Sequence, residues 1–193
     1  MKFKQLFLSL LLAGTAATAQ TIAVNTNDAA TNTRVIITKN HKGGEISVDD
    51  TVARNGLAFF SAGYQNTVVN GKPVETYFID LDMFHNDNKL GCIKQSESNV
   101  VLVLEDGNEI QCLQISDTDC DPEAFKAAFA LTTKNGTLKQ MEENFKKLQS
   151  VAIKRIKITT TEDLIDYKIT PKSSDYIKAH FALIAKTLQG SVK

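Results

Sequence analysis

The chain has 193 residues, 22 basic and 22 acidic side chains, no net charge and no Trp, and 42% of it is hydrophobic. That length fits one domain with a sizeable core, the even charge balance argues against a nucleic-acid partner, and no apolar run after the first twenty residues is long enough to cross a bilayer. The balance hides an asymmetry: residues 20 to 122 carry 7 basic and 15 acidic side chains, whereas residues 123 to 193 carry 13 and 7. Attraction between two halves of one domain accounts for the split more simply than an acidic ligand does, because the basic residues are interspersed with acidic ones and lack aromatic interleaving.

Residues 1 to 19 have the layout of a cleavable export leader. Lys2 and Lys4 form a charged start, Leu6 to Leu12 an apolar stretch broken by Ser9, and Ala17-Thr18-Ala19 a small-x-small cleavage site that leaves Gln20 as the expected mature N-terminus. The apolar stretch is too short for roughly 30 Å of hydrocarbon, so the cleaved chain is expected not to span a membrane. No Cys follows it that could carry a lipid anchor. The expected location is periplasmic or extracellular, and residues 20 to 193 are read as a single α+β domain.

Gln20 to Thr33 is rich in Asn, Thr and Ala and reads as an ordered edge or a loose leader. Arg34 to Lys39 and Glu45 to Asp49 are predicted strands around a polar turn that places His41 in solvent. Gly56 to Tyr64 is a further strand, with Leu57 to Phe60 apolar on both faces, and Asn70-Gly71 signals a sharp turn.

Val74 to Phe84 alternates. On a strand, Tyr77, Ile79, Leu81 and Met83 share one face, and Phe78, Asp80, Asp82 and Phe84 the other, with two carboxylates about 7 Å apart. Asp80, Asp82, His85 and Asp87, with Asn86 nearby, form a candidate polar or divalent-cation site: hard oxygen ligands, with His85 as a nitrogen ligand or base. An amphipathic strand showing its polar face to water, followed by ordinary Asn-Asp-Asn turn chemistry, accounts for the same residues more simply.

Leu90 to Ile93 is a short predicted strand leading to the stretch that organises the sheet. Val100 to Leu104 is β-branched and aliphatic throughout and is followed at once by Asp106-Gly107, so Asn99 to Ser116 is read as a hairpin. A two-residue turn at Asp106-Gly107 or Gly107-Asn108 puts Val101 and Val103 with Ile110 and Cys112, and Val100, Leu102 and Leu104 with Leu113 and Ile115. The first strand, apolar on both faces, is expected to be central and covered on both sides. Asp117, Asp119 and Asp121 lack the glycine and downstream glutamate of a calcium loop. They are read as helix capping, with Asp121 as N-cap, Pro122 first in the helix and Phe125, Ala128 and Phe129 as its buried stripe.

Lys134-Asn-Gly136 is predicted to end that helix, and Thr137 to Gln140 is a capping-box pattern opening another, with Leu138, Met141, Phe145 and Leu148 on its apolar side. Ile153 to Thr159 and Leu164 to Thr170 form a second hairpin, with Ile156, Ile158, Ile165, Tyr167 and Ile169 inward and Arg155 and Lys157 on the solvated side. The last helix is expected after Pro171, capped by Ser173 or Ser174, with Ile177, Phe181, Ile184, Ala185 and Leu188 as its stripe and His180 at the stripe's edge. Three cysteines allow one bridge: Cys112 with Cys120, or Cys92 with Cys112, or none if all three are small buried hydrophobes.

These readings add up to an α+β fold: an antiparallel twisted sheet of about seven strands, a helix pair, a second β-hairpin and a C-terminal helix packed on the sheet. No elbow serine, H-E-x-x-H, phosphate loop or C-x-x-C is present. The leading expectation is a non-enzymatic binding or interaction module with a protein partner and no cofactor. An alternative is a carrier of a small apolar ligand between Phe59, Phe60, Phe78, Phe84 and the last helix. A third is a metal- or carboxylate-dependent hydrolase using Asp80, Asp82 and His85.

Overall fold

The computed structural model describes residues 20–40, 45–46, 56–85, 91–97, 99–120 and 124–190. Residues 1–19, His41, Asn86, Asp87, Asn88, Leu90, Asp121 and Pro122 lie outside the described residues, as do the side chains of Met83, Phe84 and His85. The described chain is α+β. Its strands are β1 (Ile22–Asp28), β2 (Thr33–Thr38), the two-residue β3 (Glu45–Ile46), β4 (Gly56–Val69), β5 (Lys72–His85), β6 (Val100–Leu104), β7 (Glu109–Gln114) and β8 (Ala124–Ala130). Helix α1 (Leu138–Leu148), β9 (Ile153–Thr159), β10 (Leu164–Lys168) and helix α2 (Pro171–Gly190) follow. All pairings are antiparallel, in the order β1-β2-β4-β5-β8-β7-β6-β9-β10, with β3 on β4.

One face of this sheet carries the core and both helices. Phe60, Ile79, Leu81, Phe125, Phe129, Leu102, Ile158 and Tyr167 are almost completely buried together with Ile177, Phe181 and Ile184 of α2. The helices meet where the Phe145 and Phe181 rings lie 6.0 Å apart, and Tyr77 stacks on Phe145 at 4.3 Å. The capping box forms as expected: Gln140 N–H donates to Thr137 Oγ1 (3.2 Å), and Thr137 N–H donates to Gln140 Oε1 (2.9 Å).

The expected helix pair is not present, because its first member is strand β8. Phe125, Ala127 and Phe129 alternate inward with Lys126 outward, and β8 pairs with β5 from Phe84↔Ala124 to Phe78↔Ala130. An Ala-rich segment has helical propensity, but a ladder with a long central strand and burial of two phenylalanines outweigh a preference worth tenths of a kcal/mol per residue. Where the β7 ladder stops, polar side chains complete it: Ser116 Oγ accepts from Ala128 N–H (3.0 Å) and Asp119 Oδ2 from Lys126 N–H (2.9 Å). Asp119 therefore serves a strand and caps no helix.

The central hairpin forms, with its faces exchanged relative to expectation. Leu104 N–H donates to the Asn108 carbonyl (2.9 Å), so the loop has three residues, Glu105 to Gly107, with Gly107 at φ +83°. Val100 then sits opposite Cys112 and Leu102 opposite Ile110. One extra loop residue shifts the register by one and turns every side chain of β7 over. Leu113 and Ile115 point outward, and Ile115 is exposed. β6 is an interior strand, but only its Val100, Leu102 and Leu104 face is in the core; Val101 and Val103 are half-buried.

The disulfide joins Cys92 to Cys120, not Cys112 to Cys120, and Cys112 is a buried free thiol whose burial raises its pKa. Reciprocal backbone hydrogen bonds between Ile93 and Asp119 set Cys92 beside Cys120, whereas the Cys112 side chain points into the core. The cap of α2 also moves. Thr170 Oγ1 accepts from Ser173 N–H (3.2 Å), and Ser173 and Ser174 are buried, Ser174 Oγ accepting from Ile153 N–H (2.9 Å). His180 is not an edge residue: it is 0% exposed, its Nδ1 lies 2.6 Å from Thr38 Oγ1, and its ring meets Phe60 and Tyr176 edge-on.

Candidate functional site

Among the described residues, the side of the sheet away from the helices carries the candidates Asp80, Asp82, Phe59 and Phe78. Strand alternation sends Asp80 and Asp82 there, as read from the sequence. Asp80 lies between Ser61 of β4 and Ala128 of β8, and Asp82 between Phe59 and Lys126. Lys126 Nζ is 3.6 Å from Asp82 Oδ2. Phe78, next on this face, packs its ring over Gly63, where any Cβ would collide with it.

Asp80 is the group whose chemistry this setting alters. Burial, then the negative charge of Asp82, push its pKa up to about 6, and Lys126 opposes the shift. A carboxyl poised near pH 6 can give or take a proton under ordinary conditions. The other expected members, His85 and Asp87, are not part of the described geometry: the β5 ladder carries the His85 backbone opposite Gly56, and Asp87 lies beyond. Among the described residues, no group of three or more His, Cys, Asp or Glu is placed to hold a metal ion.

The four phenylalanines proposed for an apolar pocket do not line one cavity. Phe59 and Phe60 are consecutive on a strand and face opposite ways; Phe60 is fully buried against Phe181 at 5.8 Å, and Phe59 and Phe78 share the outer face. The side chain of Phe84 lies outside the described residues. A cleft of about 400 Å³ opens elsewhere, between β7, the loop after β8 and α1, and polar groups dominate it: Glu109, Gln111, Thr132, Gln140, Glu143 and Asn144. These residues come from segments distant in sequence, and no local pattern announces them.

A second surface lies at the far end of the same hairpin. Asn70 and Gly71 have φ of +53° and +76°, the two left-handed residues of a tight two-residue turn. β2 pairs with β4 through Arg34↔Asn66 to Ile37↔Gly63 and reaches Thr67 through the Thr33 hydroxyl, and β8 pairs with β5 from Phe78 onward, so residues 68 to 75 run past both neighbours. Val68, Val69 and Val74 there are 37%, 49% and 40% exposed. The turn was legible in the sequence, but the exposure was not, since it depends on where the flanking strands end. Comparison with protein-family models, with curated proteins and with solved structures finds no match to this chain.

Proposed function

We propose that the protein is an exported, non-enzymatic binding module of bacterial type that engages a protein partner through the tip of the β4–β5 hairpin. The observation that carries this reading is the pair of exposed valines Val69 and Val74, which strand alternation puts on one face, with Val68 exposed on the other, on a turn that projects past its neighbouring strands. Clustered exposed apolar side chains are characteristic of contact surfaces, and a two-residue turn holds them in place so that little ordering is required on binding. Export is supported by the leader pattern of residues 1 to 19 and by the Cys92–Cys120 bridge, which suits an oxidising compartment. The test is photocrosslinking in intact exporting cells from residues 69 and 74, with residue 164, exposed on β10, as control. A discrete adduct from 69 that disappears with Val74→Asp, and one from 74 that disappears with Val69→Asp, supports the reading; no adduct there, or the same adducts from 164, overturns it.

A second reading rests on Asp80. Its raised pKa beside Asp82 favours a carboxylate acid–base or divalent-cation site of a hydrolase on the outer face, with calcium, zinc or magnesium as the candidate cofactor. Calorimetric titration of each ion into the wild type and into the Asp80→Asn, Asp82→Asn double variant decides the cation form: identical heats end it.

A further inference from the structure

Gln20 is both the first described residue and the one that leader cleavage after Ala19 leaves at the N-terminus. It is no loose tail. The Thr21 carbonyl accepts from Lys39 N–H at 2.7 Å, Ile22 pairs with Thr38, and Ile22 packs against the core. Gln20 is held half-buried at this end of the ladder, and continuing the pairing places Asn40 across from it. Two acceptors there, Gln20 Oε1 and Asn40 Oδ1, are buried with no hydrogen-bond partner. A new N-terminus at this spot places a free α-amine on the same residue as a side-chain amide whose oxygen no hydrogen bond holds away from it.

We propose that leader cleavage is followed by cyclisation of Gln20 to pyroglutamate, so that the mature protein begins with a neutral lactam at the start of β1. This rests on the export reading above. The free α-amine of Gln20 attacks its own side-chain amide carbon Cδ. The Nα–Cδ bond closes a five-membered ring, the Cδ–Nε2 bond breaks, and the amide nitrogen leaves as ammonia with a proton from the amine; no oxidant or further reactant is consumed. Nucleophile and electrophile belong to one residue, so ring closure has the advantage of an intramolecular reaction. The Gln20 amide is not tied down by a hydrogen bond at Oε1, and the ladder is anchored from Thr21 onward, so the ring forms without disturbing β1. The lactam N–H is then available to Asn40 Oδ1. The blocked end also keeps aminopeptidases from trimming into Ile22, which contributes to the core.

The test uses the full chain with its own leader, purified from the cells that naturally make it. Tryptic digestion releases residues 20–34 as the N-terminal peptide. It is compared by mass spectrometry with an isotope-labelled synthetic peptide beginning with uncyclised Gln, added before digestion to register cyclisation during handling. The expected peptide is lighter than the uncyclised form by one ammonia, about 17 Da, while the labelled standard is unchanged. A peptide beginning with intact Gln20 overturns the cyclisation and leaves export standing. One that retains leader residues overturns both, and one that begins beyond Gln20 overturns the cyclisation. In parallel, the wild type is expected to resist aminopeptidase and Gln20→Ala to be trimmed; equal trimming of the two overturns the proposal.

Discussion

Strand β5 has two sides with the same backbone and opposite histories. On one side Tyr77, Ile79 and Leu81 lie under the helices, with Ile79 and Leu81 at 0% exposure. On the other, Phe78, Asp80 and Asp82 face away from both helices, and Asp80 sits where burial makes its charge unfavourable. The helix-covered side is specified by packing, so its residues answer for stability. The other side retains a group whose charged form works against stability.

The largest expected effect breaks the comparison on the covered side. Ile79→Ala or Phe181→Ala removes a side chain from a fully buried position and is expected to cost about 3–4 kcal/mol, read from urea unfolding midpoints. An effect near zero on the covered side would mean that the helices do not close the core there.

Next in size is the Cys92–Cys120 bridge at the rim, whose cysteines are 28 positions apart. Cys92→Ser with Cys120→Ser is expected to lower stability by about 3.5 kcal/mol in the loop-closure picture. The segments around Ile93 and Asp119 should remain folded, because their mutual hydrogen bonds persist and Gln114 Nε2 donates to the carbonyls of Ile93 and Asp117. Thiol labelling of the native wild type should leave Cys112 unmodified.

Smallest, and opposite in sign, is the outer side. The Asp80 pKa is higher in the folded chain, at about 6, than the usual carboxylate value of 3.8, so the folded state holds the extra proton between those two pH values. The stability cost of the charge is therefore complete above about pH 6 and absent below about pH 4. Asp80→Asn is expected to stabilise the protein by about 1 kcal/mol at pH 8, a value reduced for the residue's partial contact with water, and to make no difference at pH 3.5. Denaturation at both pH values checks it. Adding Lys126→Ala sharpens the comparison: loss of the opposing charge should enlarge the gain from Asp80→Asn.

Elements whose logic is local were legible in the sequence. Asn70-Gly71, the Thr137–Gln140 box, the β9–β10 hairpin and the α2 stripe of Ile177, Phe181 and Ile184 each depend on residues within about one or two turns of chain, where sterics and capping act directly. The Asp80–Asp82 pair was legible for the same reason, since strand alternation alone puts both on one face. The expected attraction between the acidic and basic halves also has counterparts in Lys126–Asp82 and Lys157–Glu109.

What the sequence determined by itself, then, was the inventory of turns, caps and amphipathic faces, because each is a short-range preference of the chain. Only the tertiary structure decided that Phe125 to Phe129 is a strand, since the hydrogen-bond partners that outweigh its helical propensity come from β5, some forty residues away. It likewise chose the partner of Cys120, buried His180 against Thr38 and left the hairpin tip uncovered. All of these depend on which distant segments become neighbours, and packing across the sheet, which no local pattern encodes, settles that.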